Sequence, residues 1–168
     1  RPIVDADLRS VYDMEMTVQQ ILLDMETRGV RVDLAYCAEK ETELREWATS
    51  VRGWCTAEYG FNLTSAKEVA AQLMRDGVRL HKRTKTGWSL DEEVLSVIQH
   101  PLAEALLGVR KAEKMAKAYF GKFAASVDAA GFVHPSIRPM GARTGRMSVS
   151  DPPLHQLPRG QLVRDAFI

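Results

Sequence analysis

The sequence predicts a mainly α fold, antiparallel helices followed by a small antiparallel β element, and three observations carry that prediction. Apolar residues recur at helical spacing over most of residues 14–127. Capping residues and glycines punctuate the same stretch where helices would start and stop. After Gly131 the periodicity gives way to short extended runs, with Pro152, Pro153, Pro158 and Gly160 marking loops. The composition agrees: 168 residues, 45% hydrophobic and 27% charged, suffice for one domain with a core or for two small pieces of a larger one. No apolar run approaches the length of a membrane-spanning helix, so a membrane is not an expected partner.

In the first helix, residues 14–28, Met14, Val18, Ile21, Leu22 and Met25 share a face. Gly29 stops it, because glycine accepts the conformation that a C-terminal cap requires. Residues 30–32 form an extended link, and Asp33 is placed to cap a second helix running to Tyr59. Cys37, Leu44, Trp47, Val51, Trp54 and Cys55 are expected on its buried side. On one helix, Cys37 and Cys55 stand about 27 Å apart and cannot bridge, which predicts a reduced, cytoplasmic chain. Ser65 and Glu68 match a capping box, opening a helix through Val69, Ala70 and Leu73 that Gly77 ends. Residues 78–87 read as a basic loop, and Ser89 with Glu92 as a second capping box. Pro101 suits the first turn of a long helix to about Val127, with Leu102, Ala105, Leu106, Val109, Ala112, Ala116, Phe120 and Phe123 as its buried stripe. Residues 132–137, 147–149 and 162–168 read as strands.

The net charge of +1 hides a division between −5 over residues 1–60 and +6 over residues 61–168. Such asymmetry suits a polyanion partner for one part of the chain. Arg110, Lys114 and Lys117 follow i, i+4, i+7 spacing along one helix flank, which can track a phosphate backbone. The plainer reading is a solvated face with a Glu113–Lys117 pair. Lys82, Arg83 and Lys85 stand among Thr84, Thr86 and Gly87 without an acid, a composition that fits phosphate contacts or a mobile loop. Asn62, Thr64 and Ser65 precede a helix whose free N–H groups favour anions. Arg143, Thr144, Gly145 and Arg146 form a turn with a hint of anion binding. His81, His100, His134 and His155 are scattered without zinc spacing, and Asp5 with Asp7 reads as ordinary surface.

These motifs resemble, in order, those of the family A DNA polymerases of the bacterial DNA polymerase I type. Thr144-Gly145-Arg146-Met147-Ser148-Val149-Ser150-Asp151-Pro152 is similar to the family's T-G-R-L-S-S-S-D-P. Met25 to Asp33 resembles M-E-x-x-G-V-x-x-D, Phe61 to Ser65 resembles F-N-x-x-S, and Lys85-Thr86-Gly87 resembles the K-T-G of the thumb tip. His100-Pro101, Arg110, Lys114 and Tyr119 fall where the family has H-P and R-x-x-x-K-x-x-x-x-Y, and Val163 to Ile168 resembles I-R-x-A-F-I.

The resemblance implies a thumb subdomain with the start of the palm. Its boundaries would be the end of an exonuclease-like domain or linker at 1–13, the thumb at 14–130 with its tip at about 61–100, and the first palm strands at 131–168. The implied partner is primer–template duplex DNA, held by Asn62, Thr64, Ser65, Lys82, Lys85, Ser89, Arg110, Lys114, Lys117 and Tyr119. Arg146 would approach the duplex near the primer end, with Arg143 and Gln156 as further DNA contacts. The family's D-P-N-L-Q-N-I-P becomes Asp151-Pro152-Pro153-Leu154-His155-Gln156-Leu157-Pro158, which removes both asparagines of that loop. The catalytic palm aspartates and the fingers are expected outside this chain, together with the Mg²⁺ of the complete polymerase. The expectation is therefore a DNA-binding fragment, or one subunit of a split polymerase completed by the remaining fingers and palm. A non-enzymatic helical interaction protein is the reading from a different class.

Overall fold

The computed structural model describes residues 8–85 and 87–168. The expected region 1–13 therefore falls mostly outside the described residues, as do Asp5, Asp7 and Thr86. The chain forms two compact units, Glu39–Tyr119 and a second made of residues up to Ala38 together with Phe120–Ile168.

Within Glu39–Tyr119, the unit's core gathers residues from four helices. Helix α2 (Leu34–Tyr59) begins in the other unit and contributes Ala48 and Cys55 here. The Asp33 carboxylate accepts from the Tyr36 N–H at 2.9 Å, as a capping residue should. Trp47 and Trp54, expected inside, are 46% and 42% exposed. Trp47 lies over Gly108, where an added Cβ would stand 2.6 Å from the indole, and Trp54 meets Tyr59 edge to face at 5.8 Å. Helix α3 (Ala66–Arg75) buries Val69, Ala70 and Leu73. Its Ser65 Oγ accepts from the Glu68 N–H at 3.4 Å, while the Ser65 N–H donates to the Asn62 carbonyl. Gly77, with φ of 85°, ends it, and the Val78 N–H reaches back to the Leu73 carbonyl at 2.9 Å.

The expected basic loop is a β-hairpin, β2 (Arg83–Thr84) paired antiparallel with β3 (Gly87–Trp88). Arg83 sits 4.3 Å above the Trp88 ring across the ladder, a cation–π contact that holds the two strands in register. Helix α4 (Glu92–Leu95) follows, and Asp91 rather than Ser89 caps it, accepting from the Val94 N–H at 2.9 Å. Helix α5 (Pro101–Met115) starts on His100, whose Nδ1 accepts from the Leu102 N–H at 3.1 Å. It buries Leu102, Ala103, Leu106, Val109 and Ala112 against Leu63, Leu73, Val94 and Leu95.

The expected single helix to Val127 is interrupted by a π-helical turn, Ala116–Gly121, before α6 (Lys122–Ser126). One apolar stripe here serves two cores. Leu102 to Ala112 serve the first, whereas Phe120 and Phe123 belong to the second unit, and the wider π turn falls at that changeover.

The second unit holds α1 (Arg9–Arg28), whose Leu22 is buried and whose Val18, Ile21 and Met25 face Ile137, Met147 and Val149. Gly29 has φ of 67° and ψ of −173°, and a Cβ there would lie 2.7 Å from the Val133 carbonyl oxygen. Strand β1 (Val30–Arg31) pairs antiparallel with β4 (Phe132–Val133), and Val32 bridges Phe167 on its other side. The strand expected over 132–137 is divided at His134-Pro135: β5 (Ser136–Arg138) pairs instead with β6 (Ser148–Ser150).

The strand expected over 162–168 is corrected more fully. Gln161–Arg164 is a helical turn, α7, which buries Val163, and Ala166 is buried just after it. Extended pairing is confined to the last residues, where the Asp33 N–H donates to the Ala166 carbonyl and the Ile168 N–H to the Arg31 carbonyl. Phe123 meets Phe167 at 5.0 Å, Tyr36 meets Phe120 at 6.1 Å, and the Tyr36 hydroxyl donates to the Leu162 carbonyl. Among the described residues no helix is long and apolar enough to cross a membrane. Cys37 and Cys55 are both buried in α2 and form no disulfide.

Candidate nucleic-acid interface

The expected contacts separate by unit. Asn62, Thr64, Ser65, Lys82, Lys85, Ser89, Arg110, Lys114, Lys117 and Tyr119 lie in Glu39–Tyr119; Arg143, Arg146 and Gln156 lie in the other. Each set has its own geometry.

At the start of α3, two of three candidate side chains already serve the backbone. The Asn62 carboxamide oxygen accepts from the Thr64 N–H at 3.0 Å, and Ser65 caps the helix. Thr64 is exposed and lines a cleft of about 230 Å³ together with Arg110, Arg52 and Glu113. The floor of that cleft is apolar, from Leu63, Leu106 and Val109.

Helix α5 supplies the cationic row. Arg110, Lys114 and Lys117 are all exposed, Lys117 within the π turn beside the half-buried Tyr119. Their situations differ. The Arg110 guanidinium donates to the Leu90 carbonyl, tying α5 to the segment that enters α4. Among the described residues no ion pair within 4.0 Å engages Lys114 or Lys117. The Glu113–Lys117 pair that the spacing offered does not form. Glu113 pairs with Arg52 of α2 instead. Sequence spacing could not reveal that contact, because the partners lie 61 positions apart on different helices.

The hairpin and its surroundings form an ion-paired tip. Lys82 Nζ lies 2.6 Å from Asp91 and 3.2 Å from Glu93. The Lys82 ammonium, the Val94 N–H and the Ser89 hydroxyl together hold the Asp91 carboxyl down at about 2, and the two carboxylates raise Lys82 above the ordinary lysine range. Ser89 is only 6% exposed and its hydroxyl donates to Asp91 at 2.9 Å. A contact from Ser89 to an outside phosphate would have to displace that bond. Lys85, at the hairpin turn, is exposed.

In the other unit, Arg143 and Arg146 lie in the loop between β5 and β6, both exposed. The Ala142 N–H donates to the Arg146 carbonyl, and the Gly145 N–H to the Ala142 carbonyl. Gly145 has φ of 74°, which keeps this turn tight. Gly141 passes so near Ser148 that an added Cβ would overlap its Oγ. Gln156 is exposed in the 3₁₀ turn Leu154–Gln156, its amide nitrogen 3.2 Å from the His155 ring. Among the described residues no three His, Cys, Asp or Glu come together to hold a metal ion.

The chain as a whole is similar to known proteins in sequence and in fold. The model of a family described as DNA polymerase family A matches residues 35–168. The chain belongs to DNA polymerase family A. It is 32% identical over 170 residues to DNA polymerase I of Mycobacterium leprae (strain TN), covering 93% of this chain and 18% of that protein. It is 30% identical over 171 residues to DNA polymerase I of Geobacillus stearothermophilus, covering 95% of this chain and 19% of that protein. The chain thus spans about a fifth of the length of these curated relatives. Among solved structures, it resembles the POL domain of Pol1 from M. smegmatis, solved in complex with DNA primer-template and dNTP. The TM-score is 0.75 at 30% identity, over 92% of this chain and 29% of that one. The family A fold, mainly helical with small antiparallel pairs, is the fold expected from the sequence.

Proposed function

We propose that this chain supplies part of the primer–template grip of a DNA-directed DNA polymerase, and that nucleotidyl transfer and its Mg²⁺ belong to other parts of that polymerase. The observation that carries this reading is the α5 flank. Lys114, and Lys117 in the π turn that follows, stand exposed without an ion pair among the described residues, while Glu113 is held by Arg52 and Arg110 lines a cleft with Thr64. Cations so placed meet phosphates without reading bases, which suits an enzyme that must hold every sequence alike.

The proposed contacts have graded roles. Lys114, Lys117, Thr64 and Lys85 are exposed and would meet phosphate directly, and the half-buried Tyr119 follows in the π turn. Asn62, Ser65, Ser89, Lys82 and Arg110 carry bonds that hold the α3 start, the hairpin and the α4 entry in place. Their contribution would be to shape the surface as much as to touch the ligand. Arg143, Arg146 and Gln156 form a separate set on the other unit, with Arg146 proposed to approach the duplex near the primer end. The POL domain of Pol1 from M. smegmatis, solved in complex with DNA primer-template and dNTP, supports the choice of ligand.

The test is a salt-controlled titration of the full chain with a labelled primer–template duplex. Binding that is indifferent to base sequence and weakens steeply with salt is expected. Absence of salt-dependent binding at low ionic strength would refute the proposal.

A further inference from the structure

We infer that Arg52 is a positioning residue for DNA binding: it removes Glu113 from the α5 cation row and so leaves that row free for phosphate. The inference rests on the DNA-binding reading above. Glu113 stands three residues after Arg110 and four before Lys117, the spacings at which helical side chains meet. Left to its own helix, Glu113 would neutralise one of those cations. The structure instead gives Glu113 to Arg52, which comes from α2, and both line the cleft that Thr64 and Arg110 share.

The pair is not one built for stability alone. Arg52 Nε is buried without a hydrogen-bond partner, so burying this guanidinium leaves an N–H unsatisfied. A carboxylate facing solvent beside three cations would need no such partner. Glu113 keeps 44% of its side-chain surface exposed, so the cost is intelligible if the gain is that its charge is answered by Arg52 and not by the cations of its own helix. Nothing in the local spacing of α5 reveals this, since the decisive residue lies on another helix.

The experiment measures affinity for a labelled primer–template duplex as a function of salt, using the full chain and its variants Lys114→Ala, Arg52→Gln, Glu113→Gln and Arg52→Gln/Glu113→Gln. Melting temperatures are recorded for each. Arg52→Gln should weaken binding by about three- to tenfold and make the salt dependence shallower by about one phosphate contact. Glu113→Gln should bind at least as tightly as wild type. The double variant should recover wild-type affinity and slope, because no carboxylate remains to occupy the row.

Unchanged affinity in Arg52→Gln would overturn the inference. So would a double variant as weak as Arg52→Gln, which would mean that Arg52 itself touches DNA. Weaker binding with an unaltered salt slope and a lowered melting temperature would mean a merely structural role and would also overturn it. If Arg52→Gln does not fold, Glu113→Gln decides: weaker binding than wild type rejects the inference. Wild type and Lys114→Ala report on the underlying reading separately: that reading fails if wild type shows no salt-dependent binding, or if Lys114→Ala leaves affinity and salt slope unchanged.

Discussion

At the residue scale, a few side chains and one glycine fix local geometry, and each predicts a measurable change. Gly29 lies in a backbone region that is essentially reserved for glycine, and a methyl there would run into the Val133 carbonyl and the His134 ring. Gly29→Ala should therefore destabilise its unit by at least about 1–3 kcal/mol in chemical denaturation. His134 has an acceptor at each ring nitrogen, the Glu26 carbonyl at 2.8 Å and Asp128 at 3.2 Å. Only the imidazolium can donate to both, so the Glu26 carbonyl first, and then Asp128, raise its pKa. The proton is bound more tightly in the folded state. This contribution is thus complete below the unfolded pKa of about 6.5 and lost as pH rises through the higher folded value. The melting temperature should fall between pH 6 and pH 8.5 by more in wild type than in His134→Asn; equal falls would contradict the assignment.

Asp91 carries the opposite sign. Lys82 first, then the Val94 N–H and Ser89, lower its pKa to about 2. The stabilisation is present above the unfolded value of about 3.9 and disappears as pH falls from there through the folded value. Asn is a capping residue of equal quality, so Asp91→Asn keeps the α4 cap and removes only the charge. The stability gap between wild type and Asp91→Asn should close between pH 5 and pH 2, as followed by thermal melting.

At the scale of elements, what the sequence made legible depended on whether the signal was local. Helices α1, α2, α3 and α5 were readable from apolar spacing with Gly29, Asp33, Ser65, Gly77 and Pro101 as punctuation, all of which act within a few residues. The π turn was not, because Ala116, Phe120 and Phe123 fit an α-helical stripe equally well, and only the division between two cores asks for a wider turn. The strand expected at 162–168 rested on β-branched and aromatic composition. Burial of Val163 and Ala166 three positions apart, after Gly160, favours a helical turn there. The β2–β3 hairpin was hidden by its charge, since its pairing relies on Arg83 over Trp88 rather than on an apolar alternation. Trp88→Ala should accordingly lower protection of the hairpin amides in hydrogen exchange while the α5 amides stay protected.

The candidate interface shows the same limit. The i, i+4, i+7 row of Arg110, Lys114 and Lys117 is visible in sequence, as is the Gly145-Arg146 turn. The burial of Ser89, the Arg110 bond to Leu90 and the Arg52–Glu113 pair are not, because each depends on a partner outside the local window.

At the scale of the whole molecule, the charge division by sequence does not survive as a division by unit. Glu39–Tyr119 carries 13 Lys and Arg against 12 Asp and Glu, a net of +1 rather than a basic body. Attraction for a polyanion must then come from arrangement: acids are spent on Lys82, Arg45, Lys40 and Arg52, while Lys114 and Lys117 remain outward. The proposed partner for that arrangement is duplex DNA, a proposal supported by membership of DNA polymerase family A and the likeness to a polymerase domain. The most direct measurement is the salt dependence of primer–template binding by wild type and by Lys114→Ala/Lys117→Ala. The account predicts weaker binding for all sequences alike and a slope of log affinity against log salt reduced by about two phosphate contacts, near 1.8. An unchanged affinity and slope in the double variant would contradict it.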